Sequence, residues 1–245
     1  MFASPFIFAN KIEAAPGKNF GLPVLAAASA AIDGFRIGPA SAALGHVENT
    51  GALVDIEKGC DIIAQGDAAE YCFEVVEGCV RSVQRLEDGR RQVSDFLMPG
   101  DVFGLDAVGE HEFAAEAVTA VTIRRLRLST VELLAEEDAA FGQRLRRHLT
   151  RQAKAMRSRI VLLGRMTAAE RIAAFLLEMT ERLEGSRQGI VELPMSRGDM
   201  ADYLGLTIET VSRCLSDLKR CGVISVKGAH IAIHNRRALT AETLH

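Results

Sequence analysis

The sequence predicts an α+β protein in three parts: an antiparallel β-domain, a long helix and a C-terminal winged helix-turn-helix. Three observations lead to this prediction. Glycines recur every 7 to 12 residues between positions 59 and 100, with short apolar runs between them. A run rich in basic residues then follows a helical spacing of three and four. Near the C-terminus, two helical patterns flank a glycine turn and are followed by two short strand patterns.

Composition indicates an ordinary globular chain. Its 245 residues are 48% hydrophobic and 25% charged, which suits two modest domains. No stretch approaches the roughly 18 apolar residues of a membrane span, and the first ten residues lack the pattern of a signal peptide. We therefore expect a cytoplasmic protein whose five cysteines are reduced.

The net charge of −3 hides an uneven distribution. Residues 1–138 hold 11 Lys and Arg against 22 Asp and Glu, whereas residues 139–169 hold 8 basic residues and no acidic one. Residues 170–245 hold 10 of each sign. A basic segment beside an acidic domain is compatible with a polyanionic partner, and equally with a solvated helix face.

Residues 1–45 are rich in Ala, Ser, Gly and Pro without a persistent period, which predicts a partly disordered extension. Residues 46–137 are expected to form the β-domain, as a roll or a barrel. Asp88-Gly89 is a hairpin-turn signal, and Leu126 and Leu128 alternate with arginines as in a strand with one buried face. The apolar runs that predict strands are Ile62-Ile63, 73–76, 80–83 and 93–98.

Residues 138–164 predict a single long helix. Acidic residues at 136–138 suit the positive end of a helix and are expected in its first turn. A heptad-like seam along it predicts a contact between two copies of the chain. The same seam could instead pack the helix on its own β-domain. Gln152 and Arg159 either fix the register of a dimer or mark a half-exposed seam. The seam residues are Leu145, Leu149, Gln152, Met156, Arg159 and Leu163.

Residues 165–245 are expected to form the C-terminal domain. Thr167 and Glu170 match a capping box before an amphipathic helix, and residues 185–189 are expected to form a loop. Ser196 and Asp199 match a second capping box, and Gly205 ends the helix that follows. Thr207 is expected to cap the next helix, which Gly222 stops. Short strands at 190–193, 223–226 and 230–233 complete this domain, the last two joined through 227–229.

The helix after Thr207 has the pattern of a recognition helix. Its inner stripe is apolar, and its outer stripe carries Glu209, Ser212 and Arg213 together with Ser216. Arg can donate two bonds to guanine, Glu can accept from cytosine N4, and Ser can serve either base. A plain surface helix would also tolerate these polar residues. The residues expected to contact DNA phosphates are Thr207, Thr210 and Lys227.

The segment Gly198–Arg213, GDMADYLGLTIETVSR, resembles the recognition segment of the CRP/FNR superfamily. The Glu-x-x-Ser-Arg pattern at 209–213 is similar to that of its FNR/FixK branch. The β-domain adds a weaker similarity at 99–108. The resemblance covers about residues 50–240 and is most specific at 198–213.

This resemblance implies a cyclic-nucleotide-binding-like β-roll, a dimerisation helix and a winged DNA-binding domain. It also implies a homodimer that binds a TTGAT-like palindrome in double-stranded DNA, with Arg213 on the guanine. RNA polymerase is implied as a further partner, and activation in a low-oxygen or redox-linked response as the role.

The chain lacks two kinds of binding residue that are known from members of the superfamily. Leu105 follows Gly104 where cyclic-nucleotide binders have a Gly-Glu pair, and no arginine lies between Arg91 and Arg124. Acidic residues at 110, 112 and 116 are expected to repel a phosphate. No cysteine precedes Cys60, so the N-terminal iron–sulfur ligands of oxygen-sensing members are missing. We expect no cofactor and no metal, as in FixK-like members.

Cysteine positions suggest one regulatory candidate. Cys60, Cys72 and Cys79 lie in or beside predicted strands, where burial is the common outcome. Cys214 follows Arg213 directly, with Lys219 and Arg220 close in sequence, and a nearby cation favours the thiolate. Its oxidation could disturb DNA binding. The alternative is an inert thiol that faces the core.

Two rival interpretations remain. One is a regulator with an unidentified small effector in the β-roll. The other is an enzyme, such as a thiol oxidoreductase, but the sequence has no CxxC pair, nucleophile elbow or P-loop, and a non-enzyme is expected.

Overall fold

The computed structural model describes residues 51–183 and 190–240, so the extension predicted at 1–45 and the loop predicted at 185–189 lie outside it. The first described element is a β-roll. Its strands are β1 (Ala52–Ile56), β2 (Asp61–Ile63), β3 (Tyr71–Glu77), β4 (Val80–Arg85), β5 (Arg91–Leu97), β6 (Val102–Phe103), β7 (Ala114–Ala117) and β8 (Val121–Arg127).

Two four-stranded sheets make the roll, with strand orders β1-β8-β3-β6 and β2-β7-β4-β5. Every strand pair is antiparallel. Alternate side chains point between the sheets, because the side-chain period of a strand is two, and Val75, Val80 and Ile123 are fully or almost fully buried there. The sheets confirm the antiparallel fold that the glycine spacing predicts.

Several of these glycines lie in turns, which explains why their spacing predicts where the strands begin and end. Gly89 has φ +83° in the predicted hairpin turn. Gly78 has φ +89°, and a Cβ there would lie 2.4 Å from the backbone oxygen of Ala120. Both positions require glycine, because the left-handed region costs other residues energy and the second site has no room for a side chain.

The helices are α1 (Leu128–Glu137), α2 (Ala139–Arg165), α3 (Ala168–Arg182), α4 (Arg197–Leu204), α5 (Ile208–Arg220) and α6 (Arg236–Thr240). In the described part of the chain, no helix is both long and apolar enough to span a membrane. Helix α1 corrects two expectations: Leu128 starts a helix instead of ending a strand, and the acids at 136–137 end α1 instead of opening α2. Asp138 alone caps α2, accepting from the backbone N–H groups of Ala140 and Phe141.

One face of α2 packs on this chain itself. Phe141, His148, Ala155 and Leu162 are buried and recur every seven residues. This inner stripe follows the 3.5-residue period of a packed helix. The sequence alternative in which the helix packs on its own β-domain is therefore correct for this face.

Four residues of the predicted seam contact other parts of this chain, and the other two are exposed to solvent. Gln152 donates its Nε2 to the carbonyl oxygen of Val102 at 3.3 Å, and the guanidinium of Arg159 lies over the ring of Tyr203. Leu145 and Leu163 pack against buried clusters of the same chain. These four side chains thus have partners within the chain, and the seam as a contact between two copies stays a prediction.

Three apolar residues that α2 leaves in solvent lie on a neighbouring stripe. Leu149 is 38% exposed, Met156 57% and Ile160 72%. Their spacing of seven and four places them on one side of the helix. We call these three residues the outer stripe; it keeps Leu149 and Met156 from the predicted seam and adds Ile160.

The C-terminal domain packs directly against the β-roll. Its three-stranded sheet has the order β10-β11-β9, from β9 (Ile190–Glu192), β10 (Ile224–Lys227) and β11 (His230–Ile233). Phe96 of the β-roll lies 5.0 Å, between ring centroids, from Tyr203 of α4, and Phe175 of α3 completes the aromatic cluster. One apolar core thus extends from the roll into the helices.

Candidate nucleic-acid interface

Caps and a glycine define the two helices of the helix-turn-helix. Ser196 and Asp199 form the predicted capping box at the start of α4. Gly205 ends α4 in the left-handed conformation, with φ 61°, which glycine adopts at little cost. Thr207 caps α5, accepting from the N–H of Thr210 at 3.2 Å. These caps turn the chain within three residues, 205–207, and set α5 across α4.

Helix α5 separates its side chains as the sequence predicts. Val211 and Leu215 are buried in the domain core, while Glu209, Ser212 and Arg213 are exposed. The first two point inward because residues four apart share a helix face. The exposed row therefore lies on the side of α5 that no other part of the described chain covers.

The exposed row offers complementary hydrogen-bonding groups. Arg213 makes no hydrogen bond or ion pair with residues 51–183 or 190–240, so its donors are available. Hydrogen bonds from its own backbone and from Thr207 hold the pKa of Glu209 below its ordinary value, so at neutral pH this carboxylate only accepts. The Ser212 hydroxyl supplies a donor and an acceptor.

The residues predicted to contact phosphates are all near the ends of this surface. Thr207 and Thr210 lie at the start of α5, with their hydroxyl oxygens 3.1 Å apart. Thr207 also caps α5, as its sequence position predicts. Lys227 is exposed at the end of β10, beside the β10–β11 turn. We call the β10–β11 hairpin the wing.

Ile208 is a surface residue that the sequence analysis missed. It is the first residue of α5, directly before Glu209, and it is 51% exposed. An exposed isoleucine beside the residues predicted to read bases suits apolar contact with a thymine methyl group. Helical spacing does not reveal this exposure, because residues three and seven apart share a face and the pattern therefore places Ile208 on the stripe of Val211 and Leu215.

Cys214 is half-buried and packs against the core. Burial raises the pKa of its thiol, Asp217 raises it further, and Arg213 acts in the opposite direction. The reason given from sequence, a cation that favours the thiolate, is therefore outweighed. Cys72 and Cys79 are buried as expected, and burial raises the pKa of each to about 12. Cys60 is exposed, which corrects its predicted burial.

The β-roll does not offer the groups that hold a cyclic nucleotide. Ala114 and Ala115 are buried strand residues of β7, and Leu105 follows the tight Gly104 turn. Glu116 corrects part of the sequence argument: it lies in β7, buried, and Arg81 and Arg85 both bind its carboxylate. These two arginines are thus already engaged with Glu116 and do not offer free donors to a ribose phosphate.

Metal chemistry gains no support from the geometry. Across residues 51–183 and 190–240, no three His, Cys, Asp or Glu side chains are placed to hold a metal ion.

Comparison with known proteins agrees with this architecture. The family model described as a cyclic nucleotide-binding domain matches residues 53–138, and the one described as a Crp-like helix-turn-helix domain matches residues 170–242. Together with the exposed row on α5, they define a DNA-binding transcription regulator built from a β-roll and a helix-turn-helix.

Individual relatives narrow the assignment. The nitrogen fixation regulation protein FixK of Rhizobium meliloti (strain 1021) is 44% identical over 171 residues, 70% of this chain and 77% of that protein. The fumarate and nitrate reduction regulatory protein of Escherichia coli (strain K12) is 32% identical over 188 residues, 75% of each chain. The structure of FixK2 from Bradyrhizobium japonicum has a TM-score of 0.74 and 41% identity, covering 78% of this chain and 96% of that one. The chain belongs to the CRP/FNR family of transcription regulators, in its FixK-like group.

Proposed function

We propose that this regulator binds, as a homodimer, a DNA palindrome with TTGAT-like half-sites. The observation that carries the proposal is the exposed row Glu209, Ser212 and Arg213 on α5, opposite the buried Val211 and Leu215. Arg213 would donate two bonds to guanine, and Glu209 would accept from cytosine N4. Thr207, Thr210 and Lys227 would bind phosphates and fix the register of the helix in the groove.

The outer stripe of α2 supports the dimer. Leu149, Met156 and Ile160 expose apolar surface on one side of a 27-residue helix. A second copy of the same helix would bury this stripe in a two-fold contact. Two recognition helices would then lie about 34 Å apart, one turn of DNA.

We also propose that the dimer activates transcription in the cytoplasm through contact with RNA polymerase, in a low-oxygen or redox-linked response. The names of the relatives, nitrogen fixation regulation and fumarate and nitrate reduction, support this assignment. Cys214 remains the proposed redox site on α5. No catalytic role is proposed.

A second candidate function rests on a cavity in the β-roll. A space of about 230 Å³ lies between its sheets, with an apolar lining that includes Val54, Phe73 and Ile123 and with Arg125 and His111 at its polar side. A small effector in this space would make the protein a ligand-responsive regulator. Native mass spectrometry of the purified protein tests this idea, because a bound effector adds its mass to the dimer and denaturation removes it.

The DNA proposal is tested by fluorescence anisotropy with three duplexes: a palindrome of two TTGAT-like half-sites, one half-site, and a scrambled sequence of equal length. We expect the palindrome to bind most tightly, without added cyclic AMP or iron. Equal affinity for the palindrome and the single half-site contradicts the dimeric mode, and equal affinity for the palindrome and the scrambled duplex contradicts base reading.

A further inference from the structure

The β-roll holds the first helix of the helix-turn-helix through an acid at its start. Asp199, which caps α4, is only 4% exposed. Besides its capping bonds to Ser196, its Oδ1 accepts from Arg81 Nη1 at 2.7 Å and from Arg91 Nη2 at 2.9 Å. Both arginines belong to the β4–β5 hairpin. One carboxylate therefore caps the start of α4 and also joins the DNA-binding domain to the β-roll.

A second contact lies one turn further along α4. Asp202 accepts from Arg91 Nε at 2.6 Å, and Gln92 donates to the backbone carbonyl of the same Asp202. Arg159 of α2 donates to the carbonyl of Tyr203 at 3.3 Å. Helix α4 is thus held at its start and along its second turn by groups outside its own domain.

The Arg91–Asp202 pair has more consequence for orientation than for stability. Arg91 and Asp202 keep 35% and 30% of their side chains exposed, and pairs in such positions change an equilibrium constant by at most about fivefold. Only Met166 and Thr167 separate α2 from α3, so the chain connection is a short joint. An effect of about fivefold is enough to favour one orientation of the C-terminal domain about this two-residue connection. It is too small to decide whether the C-terminal domain folds.

We propose that Arg91 and Asp202, with Arg81 and Asp199 behind them, position the recognition helix and so set the spacing of half-sites that the dimer accepts. The inference rests on the proposed function. In a dimer joined along α2, the β-rolls are fixed relative to each other, and the contacts of α4 fix each helix-turn-helix relative to its roll. Since α5 packs on α4, these ion pairs act on the distance between the two recognition helices, together with the apolar core that the roll shares with the C-terminal helices.

The test is a spacing series. Wild type and variants are titrated with palindromes whose half-sites are separated by the best distance and by one or two base pairs more or less, and with a single half-site. Asp202→Arg places like charges against Arg91. We expect its preference for the best spacing to fall by roughly fivefold while affinity for a single half-site stays unchanged. Adding Arg91→Gln removes the opposing cation while keeping a hydrogen-bond donor for Asp199, and it is expected to restore part of the lost preference.

Arg90→Glu is the matched control. Arg90 is the neighbour of Arg91 and is 77% exposed; within residues 51–183 and 190–240 its side chain pairs only with Asp88 of its own turn. Its reversal is expected to leave the spacing preference unchanged. Thermal unfolding of each variant confirms that the domains remain folded.

Three results overturn the inference. If Asp202→Arg retains the wild-type spacing preference, this inference is contradicted and the proposed function is not. If Asp202→Arg weakens binding to the single half-site as much as binding to the palindromes, the Arg91–Asp202 pair acts on folding or on DNA contact and not on spacing. A wild-type protein without any preference for a palindrome contradicts the proposed function first, and the positioning role with it.

Discussion

Tyr203 donates its phenolic hydroxyl to the carboxylate of Glu178 at 3.1 Å, where both side chains are buried. Arg182 donates to the same carboxylate at 3.1 Å and also binds Asp101 of the β-roll at 2.6 Å. The guanidinium of Arg159 covers the face of the Tyr203 ring at 3.5 Å. A buried polar chain therefore connects the long helix, the DNA-binding domain and the β-roll.

This chain predicts a specific pH dependence of stability. Burial raises the pKa of Glu178 to about 7, although Arg182 and Arg159 oppose the rise. A carboxyl whose folded pKa exceeds its unfolded value contributes stability below the unfolded pKa, and that contribution is lost as the pH rises through about 7. Between pH 6 and pH 8 we expect Glu178 to lower the free energy of unfolding by about 1 kcal/mol, the order of magnitude of one pKa unit.

The measurement is denaturant unfolding of wild type and Glu178→Gln at pH 6, 7 and 8. The glutamine keeps a partner for Tyr203 but cannot ionise, so the difference between the two proteins isolates this one group. Glu132→Gln, at an exposed position of α1, is the control. Parallel pH profiles for wild type and Glu178→Gln show that the carboxyl does not titrate in this range.

The outer stripe of α2 predicts where the dimer breaks. Ile160→Glu places a carboxylate on apolar surface and is expected to weaken dimerisation roughly tenfold or more, since an unpaired buried charge is costly. Lys154→Glu introduces the same group at an exposed position on another side of the helix and should leave the dimer intact. Sedimentation equilibrium over a range of concentrations measures both. A dimer unaffected by Ile160→Glu but lost on changing Gln152 restores the seam predicted from sequence.

Thiol chemistry gives a third prediction. Cys214→Ala is expected to bind DNA as wild type does under reducing conditions and to resist peroxide. Because burial raises the pKa of Cys214, its oxidation in wild type should be slow and faster at higher pH. The exposed Cys221, at the end of the same helix, provides the control variant Cys221→Ala. Equal peroxide sensitivity of wild type and Cys214→Ala removes Cys214 from regulation.

Local signals made the C-terminal domain predictable from sequence. Capping boxes at Thr167 and Ser196 and the left-handed Gly205 act over a few residues, so the pattern alone locates the helix ends. The exposed row on α5 follows from helical spacing for the same reason. The β-roll was predictable in class because Gly89 and its neighbours recur at turn spacing.

The errors arose where tertiary contacts decide the outcome. The helical spacing at 145–163 fits several adjacent faces of α2, and only the contacts of Gln152 and Arg159 show which face packs inward. Glu116 is predicted, with the acids at 110 and 112, to repel a phosphate, yet two distant arginines bind its carboxylate. The ion pairs of Asp199 and Asp202 join residues more than 100 positions apart, beyond the reach of any local pattern.

The wing supplies a fourth prediction. Lys227 is exposed beside the β10–β11 turn and is assigned to phosphate. Lys227→Ala should weaken binding to specific and scrambled duplexes by similar factors and reduce the salt slope by about one unit, because one counterion fewer is released. Titrations at two salt concentrations measure this effect. A loss confined to the specific duplex assigns Lys227 to base reading instead.

Arg213 provides the most direct test of the claim that α5 reads bases. Its guanidinium can donate two parallel bonds to one guanine, a contact that discriminates by about 1–3 kcal/mol. The measurement is the affinity of wild type and Arg213→Ala for the TTGAT-type palindrome and for a scrambled duplex at two salt concentrations. We predict that Arg213→Ala loses its preference for the palindrome and keeps salt-sensitive binding to both duplexes. Weakening of both duplexes by the same factor would make Arg213 a phosphate contact and contradict base reading by this helix.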